Sequence, residues 1–352
     1  MTLLVTGATG FVMSVLVREW LRADPAARVV ALDAAPPDAA AQRYFEPLAN
    51  RLTLVIADLT QPQQWHAALK GHPITHIVHG ASVTPISRGS AAEVRTEPEA
   101  YDPRRIIEIN TMGTVALLDW ARALPDLRRF ITVSTGGVYK EHGPDRPGEP
   151  LPEDGYVMPR RLYGISKLAA ELITERYGDL FHLSTVSVRP SSVFGPMDRL
   201  TQTRNYRHVP NRIAQLALDG ARRVRVNTLD AIGDYVHVED VARAIVALMA
   251  VPKLRYSCYN IASGRTSSIR DIVGWVAEKV PGFTAEVVAP ELADVLQDPT
   301  LRDGMWGAYD ISRICAETAW RPRAAREAMH AYMDWLVAER RANVAIAAGA
   351  AE

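Results

Sequence analysis

"LLVTGATGFVMSVLV", residues 3–17, is the stretch whose reading decides the fold. An apolar run enters Thr6-Gly7-Ala8-Thr9-Gly10, and a segment with helical spacing leaves it. A strand that turns on glycines into a helix is built to hold a phosphate. One glycine makes the bend, one lets the backbone approach a pyrophosphate, and one lets the helix pack closely on the strand. The first turn of the helix then offers free N–H groups and a partial positive charge. Gly7 and Gly10 fill the first two roles, and Met13 stands where the third glycine belongs. Two outcomes are open: the flexible side chain bends into a gap in the core, or it pushes the helix outward and weakens binding.

Outward from this turn the first half alternates. "RVVALD", "LTLVIADL", "HIVHGA", "RFITVST" and "LSTVSVRP" join "LLVTG" as strands, nearly continuous in apolar character, as strands covered on both faces must be. Segments such as "RIIEINTMGTVALLDWARAL" and "GISKLAAELITERYG" have helical spacing. The alternation predicts an α/β fold: a Rossmann-type doubly wound parallel sheet, with ligands at the carboxyl ends of its strands. After about Arg189 the pattern loosens into the Arg-rich "MDRLTQTRNYRHVPNR" and short mixed elements. This predicts a smaller C-terminal α/β substrate domain. The expected division is 1–188 plus about 232–259 for dinucleotide binding, about 189–231 plus 260–340 for substrate, and 341–352 as a flexible, alanine-rich tail. "DYVHV" and "EDVARAIVALMA" are expected to return to the first domain.

Composition excludes several classes. Lys and Arg number 40 against 40 Asp and Glu among 352 residues, so no basic stripe recruits nucleic acid. Two cysteines, Cys258 and Cys315, make neither a disulfide framework nor a metal pair, and no metal is expected. The chain opens directly on a strand, and no apolar run reaches the roughly 18 residues of a membrane span. The expectation is a soluble, cytoplasmic protein with a small-molecule substrate.

Asp33 ends the second strand, where an acid accepts bonds from ribose hydroxyls and repels a 2′-phosphate, favouring NAD over NADP. Asp58 ends the third, as an adenine-side contact or as a simple strand-end cap. Tyr163 and Lys167 stand one helical turn apart on one face. A free phenol titrates near pH 10, and an adjacent ammonium favours its phenolate. The strand before them ends in the hydroxyls of Ser134 and Thr135.

The chain resembles the extended short-chain dehydrogenases/reductases, the NAD-dependent epimerase/dehydratase group. The likeness rests on the turn at Gly7 and Gly10, "HGAS" at 79–82, Asn110 in "INTMGT", "VSTGGVY" at 133–139 and "YGISK" at 163–167. It continues through "RPSSVFGP" at 189–196, "DYVHVEDVA" at 234–242, "YNIASG" at 259–264 and "AWRP" at 319–322. The resemblance implies Tyr163 as acid/base, Lys167 as its activator, Thr135 as the holder of the substrate oxygen, and Ser134 as structural support. Asn110 is implied in helix geometry or a proton relay. The cofactor set it implies is Gly7, Thr9, Gly10, Phe11, Val12, Asp33, Asp58, Leu59, Gly80, Ala81, Ser82, Asn110, Tyr163 and Lys167, with NAD as cofactor. The substrate set is Ser82, Thr135, Gly136, Ser192, Arg199, Arg204 and Arg207. A homodimer through the helices of "NTMGTVALLDWARAL" and "YGISKLAAELITERYG" is expected by analogy.

Departures from the family narrow the reaction. Its sugar dehydratases carry Asp-Glu after the catalytic Thr; this chain has Gly136 and Gly137, which disfavours elimination and leaves oxidation, reduction or epimerisation. Gly233 stands where nucleotide-sugar enzymes have an Arg for the diphosphate, and Ser192 where they often have Asn. Arg199, Arg204, Arg207 and Arg212 crowd the loop over the expected pocket, either as a solvated basic loop or as forks for an oxyanion. The stretch from Ser87 to Asp102 is a candidate lid. The expected activity is NAD-dependent oxidation or epimerisation at a secondary alcohol of an anionic sugar such as a sugar acid. The alternatives are a nucleotide-sugar epimerase using Arg199 or Arg207, and a non-catalytic NAD sensor or scaffold, which Met13 would favour.

Overall fold

All six apolar runs become parallel strands of one sheet. They are β1 (Thr2–Thr6), β2 (Arg28–Asp33), β3 (Leu52–Ile56), β4 (His76–His79), β5 (Arg129–Val133) and β6 (Thr185–Pro190). Their order is β3-β2-β1-β4-β5-β6, and a seventh strand, β11 (Cys258–Ile261), pairs in parallel beyond β6. This is the Rossmann order with one strand added. The computed structural model describes residues 1–84, 102–139, 148–155, 157–201, 207–299, 301–302 and 307–349. The proposed lid from Ser87 to Asp102 lies outside the described residues except for Asp102, which caps the helix that follows.

Both faces of the sheet are covered, which is why its strands lack polar alternation. In β1, Leu3 and Val5 enter one core while Leu4 enters the other, as the two-residue period requires. The first core holds α1 (Phe11–Ala23) against α8 (Val238–Ala250). The second holds Trp65 of α3 (Pro62–Leu69) and Leu117 and Leu118 of α5 (Gly113–Ala121). β1 has β2 on one side and β4 on the other, so the strand order reverses there and opens a crevice at the strands' carboxyl ends.

The long helical pattern around Asn110 is not one α-helix. It divides into α4 (Pro103–Ile107), a π-helical stretch Glu108–Met112, and α5. A π-turn widens the helix by one residue without changing its apolar pattern, so periodicity does not reveal it.

A further core gathers α7 (Val209–Leu218), β8 (Arg223–Val226), α9 (Ile269–Lys279), β13 (Thr284–Val287) and α11 (Ala325–Gly349) around Ile213, Val224, Ile272, Val276 and Tyr332. β10 (Tyr235–His237), the strand of "DYVHV", pairs with β7 (Ser192–Phe194) in a two-stranded sheet and does not join the large one. α8, which follows it, does return to α1. The alanine-rich end, read from sequence as a flexible tail, continues α11 as helix to Gly349. Alanine has the highest helix propensity, and that outweighs terminal fraying here. Among the described residues no helix is long and apolar enough to cross a membrane.

Candidate active site

The turn after β1 is shaped by two close approaches. Gly7 has φ +67°, and a Cβ there would lie 2.8 Å from Ala81 Cα. Only glycine meets both demands. Gly10 caps α1, donates its N–H to Gly7 O at 3.0 Å, and would place a Cβ 3.0 Å from the same oxygen. Met13 is buried in the core behind the turn. A Cβ added at Gly80, directly after β4, would fall on Met13 Sδ, with Cγ at 2.5 Å and Cε at 3.2 Å. The thioether therefore occupies the room that Gly80 leaves, and the first of the two outcomes open at the level of sequence is the one found.

Asp33 reaches back to this turn. Its Oδ2 accepts the Thr9 N–H at 2.9 Å and the Thr9 hydroxyl at 2.8 Å, while among the described residues Oδ1 accepts only Ala35 N–H at 3.3 Å. A carboxylate fixed on one oxygen keeps acceptor capacity for hydroxyls on the other. Glycines that leave the backbone bare, a helix N-terminus and this acid fit a dinucleotide. Phe11 is buried and Val12 half-buried at the start of α1.

Asp58 is engaged elsewhere. Its Oδ1 accepts both Thr60 N–H and Thr60 Oγ1–H, and its Oδ2 pairs with Arg105 at 2.7 Å. Burial pushes its carboxyl up, but the Arg105 and Thr60 bonds win and hold it below the usual range. Leu59 is buried and packs 3.0 Å from a Cβ position at Gly113. Ala81 N–H donates to Thr6 Oγ1, and Ser82 is half-buried beside it.

The end of β5 and the start of α6 (Leu162–Phe181) come together through glycine. A Cβ on Gly164 would lie 2.6 Å from Gly137 O, so the first turn of α6, which carries Tyr163, lies directly against the loop after Thr135. Thr135 accepts Gly137 N–H at 3.1 Å and caps a short 3-10 turn, leaving its own O–H to donate. Ser134 is buried, and its hydroxyl has no partner among the described residues.

Lys167 is fully buried, and burial lowers its pKa to about 8 while Glu171 pulls it the other way. Glu171, one turn further on, gives both oxygens to Arg189 of β6, at 2.7 to 3.1 Å. That pair is nearly dry, and Arg189 also donates to Tyr139 Oη and Glu153 O. His79, beside Lys167, is held neutral with its pKa lowered to about 3 by burial. Asn110 sits on the π-turn: its Oδ1 accepts Val83 N–H, and its Nδ2 donates to Val83 O and to Ser166 Oγ. Ser166 Oγ in turn donates to Tyr163 O at 2.7 Å. The π-turn thus ties the segment after β4 to the helix that carries Tyr163.

Three further placements were not legible from sequence. A Cβ at Gly136 would fall on Tyr309 Oη, with Cζ at 2.7 Å, so a tyrosine occupies the volume of the family's missing acid. Burial raises the pKa of that phenol. A Cβ at Gly233, where the family's nucleotide-sugar enzymes carry Arg, would lie 2.8 Å from Cζ of the Tyr235 ring. The adjoining Asp234 is buried and takes bonds from Ser191, Ser263, Gly264 and Tyr309, while burial raises its pKa to about 6. Arg199, expected over the substrate, is engaged with Asp38 and with the carbonyl of Thr9. A fork committed to two partners of its own chain is not an open oxyanion site.

Ser192 is half-buried and donates its N–H to Asp234 O. Arg207 is half-buried, and its Nε has no partner among the described residues. Arg204 lies outside the described residues. Among those described, no group of three or more His, Cys, Asp or Glu side chains could hold a metal.

Comparison with known proteins agrees with this geometry. The sequence model of the NAD dependent epimerase/dehydratase family matches residues 3–262. UDP-glucose 4-epimerase of Mycolicibacterium smegmatis is 27% identical over 332 residues, covering 92% of this chain and 95% of that protein. GDP-6-deoxy-D-mannose reductase of Pseudomonas aeruginosa is 27% identical over 248 residues, 68% of this chain and 76% of the relative. The crystal structure of UDP-glucuronic acid 4-epimerase from Bacillus cereus in complex with NAD superposes with a TM-score of 0.73 at 22% identity, covering 95% of this chain and 98% of its own. The chain belongs to the NAD-dependent epimerase/dehydratase family and is an NAD-dependent enzyme of that type.

Proposed function

We propose that the protein oxidises or epimerises a secondary alcohol of an anionic sugar, with Tyr163 as acid/base, Lys167 as the charge that supports its phenolate, and Thr135 as the donor to the substrate oxygen. NAD, when bound, takes up the hydride at the carbinol carbon and can return it. Tyr163 Oη, ionised with the support of the buried Lys167 ammonium, takes the hydroxyl proton and becomes neutral as the hydride leaves the carbinol carbon, while the Thr135 O–H fixes the substrate oxygen. The observation that supports this reading is the close approach of Gly164 to Gly137, which sets the first turn of the helix bearing Tyr163 against the loop that follows Thr135. The presence of both Tyr163 and Lys167 counts against a mere sensor, which needs no such pair.

Gly136 and Gly137 provide no acid or base for elimination. Tyr235 over Gly233 leaves no room for a diphosphate arginine, which favours a sugar acid without a nucleotide. Arg207, with its unsatisfied Nε, is the cation we assign to the carboxylate. A second reading, a nucleotide-sugar substrate, is favoured by the relatives, whose names specify UDP- and GDP-sugars. Incubation with NAD and a panel of sugar acids and UDP-sugars, analysed by NMR, separates the two. Turnover confined to UDP-sugars overturns the substrate assignment.

We also propose a cytoplasmic homodimer. Its face is the apolar surface of α6 and the π-turn, where Met112, Ile165, Leu172 and Leu180 are exposed, Leu172 by 59%. The two free cysteines suit a reducing compartment. Light scattering on the wild type and on Leu172→Glu tests the face; equal masses for both contradict it.

A further inference from the structure

The loop after β7 makes two backbone excursions in quick succession. Gly195 has φ +136° and the buried Met197 has φ +67°. A non-glycine residue held in the left-handed region persists only where its surroundings impose it, and such positions mark sites with a task. Here the surroundings are plain. Asp198 N–H donates to Gly195 O, and Asp198 O accepts from Nδ2 of Asn211 on α7. The turn delivers Arg199 across the crevice to the far end of the phosphate turn.

There the guanidinium makes four hydrogen bonds. Nε and Nη2 fork onto the two oxygens of Asp38 at 2.7 and 2.9 Å, Nη2 also donates to Thr9 O at 3.0 Å, and Nη1 to Met197 O at 3.3 Å. Asp38 caps α2 (Ala39–Phe45) through Ala41 N–H, at the end of the loop that Asp33 begins. Thr9 is itself held by Asp33 through its N–H and hydroxyl. The contacts close a circuit: Asp33 to Thr9, Thr9 to Arg199, Arg199 to Asp38, and back to Asp33 through the four residues of chain between them. Its corners are the turn that fits a pyrophosphate and the acid that fits the adenosine ribose. One corner comes from the part of the chain built around α7, so the bridge also joins the two sides of the crevice.

We infer that the Arg199–Asp38 pair is a strap that retains NAD between turnovers, so that one cofactor molecule serves both the oxidation and the return of the electrons. The inference rests on the family's use of NAD and deepens the proposed reaction toward epimerisation, in which no net electrons leave the enzyme. A dehydrogenase must exchange its cofactor each cycle, and a closed strap opposes that. Bidentate, charge-assisted bonds are the strong kind, yet Asp38 is only half covered. The strap is therefore closed at rest and can be opened.

The experiment uses the full chain loaded with NADH and chased with excess NAD, read by nicotinamide fluorescence. Sugar is absent, so the result does not depend on the substrate assignment and can fail while the sugar chemistry stands. Arg199→Gln and Asp38→Asn are each expected to speed release about tenfold or more, the factor lost with a charge-assisted bond. Asn keeps the helix cap, so Asp38→Asn isolates the ion pair from folding. The double variant is expected to release no faster than the quicker single one, because both break the same bridge. Raised salt is expected to speed release from the wild type and to leave the variants unchanged. Wild-type rates in both single variants would overturn the inference. So would multiplicative effects in the double variant, or a wild type that loses NADH within the mixing time and has no retention to remove.

Discussion

Met13 packs its thioether against the bare backbone of Gly80. Met13 stands where the third glycine of the turn is expected, and Gly80, directly after β4, leaves the room that its side chain fills. Gly80→Ala is expected to lower stability by about 1–3 kcal/mol, the usual range for overpacking a filled core. Met13→Gly leaves a cavity and adds a helix-interior glycine, so it also destabilises. It should leave NAD affinity within about twofold, since the thioether lies behind the turn; calorimetry showing NAD binding only in Met13→Gly would mean that the methionine obstructs the site.

Gly136 and Tyr309 show the same economy on the substrate side. Restoring the family's acid alone, as Gly136→Asp, is expected to destabilise the chain and to give no elimination activity, because the side chain meets a buried ring. Tyr309→Ala in the same chain removes that ring. Denaturant unfolding should then show the two changes costing less together than the sum of the singles. Simple additivity would mean that the tyrosine does not fill the acid's place.

Lys167 gives opposite signs for activity and stability with pH. Its folded pKa is lowered to about 8 by burial, from 10.5 for a free lysine. Below about pH 8 the ammonium is present to support Tyr163 in the proposed reaction; above it the charge is lost, so kcat/KM is expected to fall on a basic limb near 8. Between about 8 and 10.5 the unfolded chain holds the proton that the folded chain has released, so stability gains from this group as pH rises through that window. Lys167→Met should abolish the basic limb along with most of the activity. An unchanged limb in that variant would assign it to another group.

The large sheet was legible because buried parallel strands are written as local apolar runs, and residues 3–17 alone name the turn. The position of Asp33 at the end of β2 was legible for the same reason, whereas its bonds to Thr9 were not. Asp58 was not, since its partner Arg105 lies on another element. The destination of Arg199 was missed because it depends on a left-handed Met197 and on Asp38, which no spacing connects. The π-turn at Asn110 was invisible to a helical period, and Tyr309 to any motif, being set against Gly136 by tertiary packing. Local pattern gives the scaffold; pairings across many residues give the details of the site.

Tyr163 is the group proposed to take the alcohol proton, and its replacement tests that role most directly. Wild type and Tyr163→Phe, each loaded with NAD, are mixed with the sugar acids and UDP-sugars, and the products are followed by NMR. Oxidised or epimerised sugar is expected from the wild type, with a loss of about a hundredfold or more in the variant and NAD binding intact by calorimetry. A variant that binds NAD and turns over at the wild-type rate, or a wild type that alters no sugar in the panel, would contradict it.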